Sequence, residues 1–219
     1  MNNVGVVSHV EDEDLVERRR AQIVSAATLL FSRNGFYKTT VKEIAKTAGM
    51  SSGLVYLYVR EKEDILLLTL LDVLDAYAVE IPKAIKGLEH PMDRLVRAID
   101  AYCRVVDSHA EATVLAYRST KSLSPERRKI IQQREIDTNR IIADIINDCM
   151  KKGLIKKMNV DILTYQMILI AHGWALKGWY FKSRLNLDEY ILGSIENVLG
   201  GVLTQEGRHR YAAAILVEE

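Results

Sequence analysis

The chain has 219 residues, of which 48% are hydrophobic and 27% are charged, and its formal net charge is +1. This composition excludes a largely disordered chain, and the length allows a sizeable core in one or two domains. A net charge near zero excludes a uniformly basic nucleic-acid-binding protein, so any basic surface must be local. With only 3 prolines and helical periodicity almost throughout, the sequence predicts an all-α fold.

The first fourteen residues differ from the rest of the chain. They end in the acidic run Glu11–Asp14 and lack the basic and apolar regions of a signal peptide. We therefore expect a flexible acidic tail over residues 1–14 and a cytoplasmic protein. The two cysteines, Cys103 and Cys149, lie far apart, so we expect reduced thiols and neither a disulfide nor a metal site.

The next segment is locally basic and predicts two helices. Residues 17–64 contain nine Lys or Arg and five Asp or Glu. A stripe of apolar residues predicts a first helix over residues 16–34, with Gly35 as its left-handed cap. Thr40 precedes a second stripe, and Glu43 three residues later completes a capping box.

The stretch AKTAGMSSGLVYLYVREKEDIL, residues 45–66, has the spacing of a helix-turn-helix. Ala45 is small enough for two helices to cross, Gly49 suits a turn with positive φ, and Ser51 can cap the second helix. If Val55 faces the core, the neighbouring residues face outward, where a recognition helix meets the major groove. The predicted DNA-binding residues are Thr40, Ser51, Ser52, Gly53, Leu54, Tyr56, Leu57, Tyr58 and Lys62.

These residues resemble the DNA-binding module of the TetR family of bacterial repressors, from AATLLFSRNGFYKTT through the helix-turn-helix. The resemblance implies that Thr40 caps a helix against a phosphate, that Tyr56 and Tyr58 contact phosphate or base, and that Lys62 meets the DNA backbone. Two positions depart from the family pattern. Ser52 stands where members often have Lys, and Leu54 stands where they often have Thr or Ser.

The rest of the chain is predicted to be a larger helical domain. We assign residues 15–62 to DNA binding and residues 63–219 to effector binding and dimerisation. The predicted helices span residues 62–81, 91–108, 112–122, 125–152, 160–184 and 188–203. The apolar stretch of residues 162–181 contains Gln166, His172 and Lys177, which disfavours a membrane span and predicts a buried helix.

Small residues at helical spacing in the last two predicted helices favour a dimer interface, because they allow helices to approach closely. The alternative is packing of the same stripes within one subunit. A helix-turn-helix half-site offers little binding surface, and the family resemblance also implies a homodimer. The predicted interface residues are Ala171, Ala175, Gly178, Gly193, Asn197, Gly200 and Thr204.

Large and soft side chains in the middle helices are candidates for an effector pocket, although such residues also form ordinary cores. The predicted ligand-binding residues are Tyr102, Tyr117, Arg118, Met150, Tyr165, Met167, Trp174, Lys177 and Trp179. Nearby cations would suit an apolar ligand with an anionic head, such as a fatty acyl-CoA, or they form a solvated surface. The resemblance implies that such an effector releases the protein from operator DNA.

The leading hypothesis is a homodimeric, ligand-responsive repressor of a palindromic operator. The first alternative is a helix-turn-helix architectural factor that has no effector. An enzyme is disfavoured because the five histidines form no metal-ligand spacing and the chain has neither a G-x-S-x-G motif nor a glycine-rich phosphate loop. We therefore predict no catalytic residue, no cofactor and no membrane partner.

Overall fold

A computed structural model of the chain describes residues 5–215. Over these residues the backbone forms α-helices, one 3-10 turn at Thr120–Ser122 and an isolated bridge between Ile155 and Leu203, which confirms the all-α prediction. The helices are α1 (Glu13–Asn34), α2 (Val41–Thr47), α3 (Ser52–Val55), α4 (Lys62–Ala84), α5 (Pro91–Ser108), α6 (Ala110–Ser119), α7 (Pro125–Lys151), α8 (Val160–Leu176), α9 (Gly178–Phe181), α10 (Leu187–Gly200) and α11 (Gln205–Ile215).

The chain divides into two compact units. The first contains the described residues up to Asp75 together with His109–Glu135. The second contains Ala76–Ser108 together with the described residues from Ile136 onward. The chain passes from one unit to the other inside α4, between α5 and α6, and inside α7, whereas the sequence suggested a domain boundary at residue 62.

The first unit has one hydrophobic core that α1, α2 and α3 share with later helices. Ile23, Phe31 and Ile44 are buried in it, and Leu67 on α4 and Leu115 on α6 belong to the same cluster. This core therefore continues past residue 62, because the short helices α2 and α3 bury too little apolar surface to form one alone.

The predicted turn and capping positions of the first unit are confirmed. Gly35 and Gly49 have φ values of 80° and 69°, a region that favours glycine. Thr40 and Glu43 form a reciprocal capping box at the start of α2, and the Ser51 side chain accepts a hydrogen bond from the Leu54 amide. These contacts fix where α2 and α3 begin.

The expected flexible tail differs in part from the structure. Residues 1–4 lie outside the described residues, whereas α1 already begins at Glu13 with Asp12 as its N-cap. Residues 5–10, which we call the N-terminal arm, run along the first unit, and Val6 is only 2% exposed. Burial of this apolar side chain opposes a free, solvated tail.

Two helix boundaries and one additional helix correct the sequence predictions. α4 continues through Pro82 to Ala84, and the Ile85 amide still donates to the Ile81 carbonyl at 3.2 Å. The predicted helix of residues 160–184 breaks at Lys177, whose φ of −117° and ψ of 23° leave the helical region ahead of Gly178. The sequence prediction also missed α11, which follows α10 after a short turn.

The second unit is a bundle in which α5 packs against α8, α10 and α11. Tyr77 and Tyr102 stack inside it with ring centroids 4.1 Å apart. Gly207 brings α11 against the backbone of Leu154, where a Cβ atom would overlap the Leu154 carbonyl oxygen. Among the described residues, no helix combines the length and apolarity that crossing a bilayer requires.

Candidate nucleic-acid interface

The recognition segment comprises α3 and the turn that follows it, residues 51–58. Val55 is buried and anchors the segment to the core, while Gly53, Tyr56 and Leu57 are exposed. The hydroxyl-bearing ring of Tyr56, 45% exposed, lies beside an apolar Leu57 side chain. Such a surface offers a donor for a phosphate or base edge and an apolar contact for a thymine methyl group.

Tyr58 has a different environment from the one we expected. Its side chain is only 3% exposed, because it follows Val55 by three residues and therefore shares the buried face. The structure thus places Tyr58 in the core beneath the recognition segment and not on the outer surface with Tyr56. Ser52 and Leu54 are partly buried, and Ser51 is exposed at the N-cap.

Thr40 is exposed at the start of α2 and is held by Glu43. Its hydroxyl accepts a hydrogen bond from the Glu43 amide at 3.2 Å and donates to the Glu43 carboxylate at 2.8 Å. The hydrogen bonds from the Thr40 side chain and backbone lower the pKa of Glu43 below its ordinary value. The capping box therefore fixes both the Thr40 rotamer and the first turn of α2.

Lys62 uses its ammonium group within the protein. The Nζ atom donates to the carbonyl oxygens of Phe36, Tyr37 and Thr39 at 2.9, 3.2 and 3.0 Å, and it lies 4.5 Å from the centre of the Phe36 ring. An ammonium group has three N–H donors, and these three bonds account for them. Lys62 thereby ties the start of α4 to the loop that precedes α2.

That loop and α2 present exposed residues that the sequence prediction did not include. Tyr37 and Lys38 are exposed in the loop, and Lys42 and Lys46 are exposed on α2. The local surplus of basic residues was the available signal for the lysines. The sequence did not predict that Tyr37 is exposed, because an isolated tyrosine beside Phe36 is equally typical of a core residue.

Arg20 connects the N-terminal arm to the end of the recognition segment. It is 3% exposed, and its guanidinium donates to the Tyr58 carbonyl oxygen at 3.1 Å and to the Val6 carbonyl oxygen at 2.8 Å. A buried guanidinium needs such acceptors because desolvation of an unpaired charge is costly. Arg20 is therefore a structural clamp.

The arm also contacts Leu57 directly. The Ser8 hydroxyl and the His9 amide both donate to the Leu57 carbonyl oxygen, at 3.1 and 2.8 Å. Arg60 adds a hydrogen bond to the Gly5 carbonyl oxygen at 3.3 Å. The arm thus satisfies the Leu57 carbonyl oxygen, as Arg20 satisfies that of Tyr58, and together they hold this end in place.

A cluster of charges joins the start of α4 to α7 inside the first unit. Arg127 contacts the carboxylates of Glu61 and Glu63 at 2.9 and 3.0 Å and also that of the fully buried Asp64. Burial alone would raise the pKa of Glu63, but the Ser124 amide and the Arg127 guanidinium outweigh it and hold this pKa below its ordinary value. The charge of Asp64 is thereby compensated.

The predicted ligand-binding residues lie in several environments. Tyr117 and Arg118 are exposed on α6 in the first unit, whereas the others belong to the second unit. Met167 is fully buried, Met150 is partly buried, and Tyr165 is exposed on α8. The nine residues therefore do not line one common cavity within either unit.

Aromatic residues at the end of α8 and on α10 pack together in the second unit. Trp174 is buried, packs against Tyr190 with ring centroids 5.0 Å apart, and donates to Asp107 at 2.7 Å. Lys182 donates to the same carboxylate at 2.7 Å, and this bond, more than the burial that opposes it, lowers the pKa of Asp107. Trp179, in contrast, is 77% exposed.

Two further predicted ligand residues have defined surroundings. The Tyr102 hydroxyl lies 3.3 Å from Nε2 of His172, whose pKa burial lowers to about 4. Lys177 is exposed at the break between α8 and α9.

The predicted interface residues also divide into two groups. Ala171 is fully buried, and the Thr204 hydroxyl donates to the Gly153 carbonyl oxygen at 2.7 Å, so both serve packing within the subunit. Gly193 and Asn197 are exposed on α10, and Ala175, Gly178 and Gly200 are partly exposed. A Cβ atom at Gly193 or Gly200 would meet no other atom within 4 Å.

Comparison with known proteins agrees with this architecture. Residues 23–68 match the model of bacterial regulatory proteins of the tetR family, and residues 89–183 match the tetracyclin repressor-like C-terminal domain. The HTH-type transcriptional regulator HbdR of Aromatoleum sp. (strain CIB) is 49% identical over 203 residues, which cover 93% of this chain and 89% of HbdR.

Two more distant proteins share the same fold. The HTH-type transcriptional repressor KstR2 of Mycobacterium tuberculosis is 26% identical over 195 residues, covering 88% of this chain and 96% of KstR2. The structure of AibR in complex with isovaleryl coenzyme A and operator DNA superimposes with a TM-score of 0.72 at 17% identity, covering 83% of this chain and 98% of AibR. With its two family domains in order and a relative of nearly half-identical sequence, the chain belongs to the TetR family of bacterial transcriptional regulators.

Proposed function

We propose that the protein is a homodimeric repressor that binds a palindromic operator and is released by a small, largely apolar effector of the acyl-CoA class. The observation that carries the DNA-binding part is the recognition segment, which exposes Tyr56 and Leu57 while Val55 and Tyr58 hold it against the core. A rigidly held helix of this kind is what base readout in the major groove requires. Repression is supported by the relative KstR2, which is named a repressor.

Dimerisation is supported by exposed apolar side chains on α8 and α10. Ile162, Leu169 and Leu192 are large hydrophobic residues exposed on these helices, and exposed apolar patches mark protein interaction sites. The small residues Gly193 and Gly200 leave open space beside α10, which lets a partner helix approach. Two copies would span half-sites about 34–36 Å apart, one helical turn of DNA.

The effector class is supported by AibR, whose structure contains isovaleryl coenzyme A together with operator DNA. An effector releases DNA only if it binds one conformation of the repressor better than the other. Lys182 already pairs with Asp107, so an anionic effector would need other cations than this one.

Selection from a random DNA library, followed by fluorescence anisotropy, tests both parts of the proposal. We expect a palindromic site bound by two subunits, and we expect isovaleryl-CoA or longer acyl-CoA thioesters to weaken that binding at least tenfold. The Tyr56→Ala variant serves as the DNA-binding control. An asymmetric or sequence-independent site, with no thermal stabilisation by any acyl-CoA, would instead support the architectural factor.

A further inference from the structure

A cleft lies between α7 and α8 in the second unit and has a volume of about 250 Å³. Its α7 side is formed by residues three, four and seven positions after Ile136, which is one face of that helix. Its α8 side is formed by Asp161 and the residues three and four positions after it. The lining residues are Ile136, Asn139, Arg140, Ala143, Asp161, Thr164 and Tyr165.

Two polar side chains in this cleft have no hydrogen-bond partner within residues 5–215. Asn139 is 4% exposed and Thr164 is 2% exposed. No hydrogen-bond partner among the described residues contacts Nδ2 or Oδ1 of Asn139, and none contacts Oγ1 of Thr164. Buried polar groups are nearly always hydrogen-bonded because leaving them unpaired is costly, so these atoms are open to a partner from outside the chain, either a water molecule or a ligand.

The chemistry of the lining defines that partner. The Asn139 carboxamide presents one donor and one acceptor edge, which is the complement of another amide, and the Thr164 hydroxyl can serve either role. Ile136, Ala143 and Tyr165 provide apolar walls for methylene groups. Arg140 and Asp161 carry opposite charges, so the lining as a whole favours a neutral segment over an ion.

We propose that this cleft binds an amide-bearing, otherwise apolar chain, the chemistry of the pantetheine arm of a coenzyme A thioester. This assignment rests on the acyl-CoA class of effector proposed above. The cleft volume of about 250 Å³ equals about eight water molecules of about 30 Å³ each, which is room for one amide group with its neighbouring methylenes. Tyr165, predicted from the sequence as a ligand-binding residue, lines it.

Substitutions that keep shape but remove the polar atoms test the site. Thr164→Val and Asn139→Leu should each weaken binding of isovaleryl-CoA and of pantetheine at least tenfold in isothermal titration calorimetry. Both variants should melt at or above the temperature of the unliganded wild type, because they remove unpaired buried polar groups. Thr113→Val is a matched control, since the Thr113 hydroxyl is also buried and without a partner among the described residues but lies on α6, outside the cleft.

The Asn139 side chain provides a direct readout. Its amide resonance in a ¹⁵N–¹H spectrum, assigned by its loss in Asn139→Leu, should shift when pantetheine is added to the full-length protein. Unaltered affinity in both variants, together with an unmoved resonance, would overturn the cleft assignment even if isovaleryl-CoA released the operator. A resonance that moved with protein concentration alone would show that a second copy fills the cleft, which also overturns it.

The two proposals fail in different ways. If pantetheine shifts the Asn139 resonance and the variants lose this binding, the cleft assignment stands even when no acyl-CoA thioester affects operator binding. That result would reject only the effector class. Should Asn139→Leu fail to fold, the calorimetric affinity of Thr164→Val for pantetheine still decides the question.

Discussion

Tyr56 and Tyr58 are separated by one residue and have opposite surroundings. Tyr56 faces outward from the recognition segment, whereas Tyr58 packs beneath it. Tyr56→Phe should therefore weaken operator binding several-fold, because one hydrogen bond to a phosphate or base is lost. Tyr58→Phe, which removes the same atom from the buried face, should leave operator affinity within about twofold. Anisotropy titrations of both variants make the comparison, and equal losses would contradict the assigned orientation.

Substitution of Lys62 can distinguish a structural role of this side chain from a contact with a DNA phosphate. Its three hydrogen bonds to carbonyl oxygens predict that Lys62→Met lowers the free energy of unfolding by about 1–3 kcal/mol, since the part-buried carbonyls of Phe36 and Thr39 lose their donor. Because the ammonium is already engaged, we expect the dependence of log affinity on log salt to keep its slope.

The exposed Lys42 on α2 supplies the control for loss of charge. Urea denaturation and binding titrations at several salt concentrations measure both quantities for Lys62→Met and Lys42→Met. A slope shallower by about one ion in Lys62→Met, with unchanged stability, would restore the phosphate contact that the family resemblance implies.

At the scale of elements, the N-terminal arm supports the end of the recognition segment through Arg20. Arg20→Met keeps the apolar stem but removes the donors to Val6 and Tyr58. We expect stability to fall by about 1–3 kcal/mol and operator affinity to fall with it, because the end of the segment loses its anchor. Arg19→Met, which alters a partly exposed neighbour on α1, is the control.

Circular dichroism melts and operator titrations of Arg20→Met and Arg19→Met measure the two effects. If Arg20→Met lost stability but bound the operator as tightly as the wild type, the arm would contribute to the core alone and not to the reading geometry.

Between α5 and α8, His172 makes stability depend on pH. Burial lowers its pKa to about 4 in the folded protein, while an unfolded histidine has a pKa of about 6.5. Both states are neutral above pH 6.5, so stability is fully present there. As the pH falls from 6.5 towards 4, the unfolded state binds the proton first, and stability decreases by up to roughly 3 kcal/mol.

His172→Gln should flatten this dependence, and its side chain can still contact the Tyr102 hydroxyl. Asp72 and Glu135 act in the opposite direction, because burial raises their pKa values. The relevant measurement is therefore the difference between the wild type and the variant in urea denaturation from pH 7 to pH 4. Parallel curves would exclude His172 as the titrating group.

At the scale of the whole molecule, the proposed dimer would bring two recognition segments to the two halves of a palindrome. Leu169→Glu and Leu192→Glu place charges on the exposed apolar residues of α8 and α10, and we expect each to raise the dimer dissociation constant at least a hundredfold. Ala212→Glu on the exposed face of α11 is the control. Sedimentation velocity at low concentration checks this, and variants that stayed dimeric would move the interface elsewhere.

The sequence by itself determined the features that depend on neighbouring residues. Helical periodicity, the positive φ of Gly35 and Gly49, and the caps at Thr40 and Ser51 act within a few residues, so they could be predicted and are confirmed. The helix-turn-helix spacing likewise led to the family, because its geometry tolerates few residue types at the turn.

Only the tertiary structure decided which hydrogen-bond donors are used inside the protein and which side chains are exposed. Lys62 meets carbonyls more than twenty residues earlier in the chain, Arg20 meets Tyr58 from α1, and Tyr58 packs in a core completed by α4 and α6. The cleft with Asn139 and Thr164 likewise needs α7 and α8 side by side. Such contacts join residues far apart in sequence, and local periodicity carries no information about which buried polar atom finds a partner.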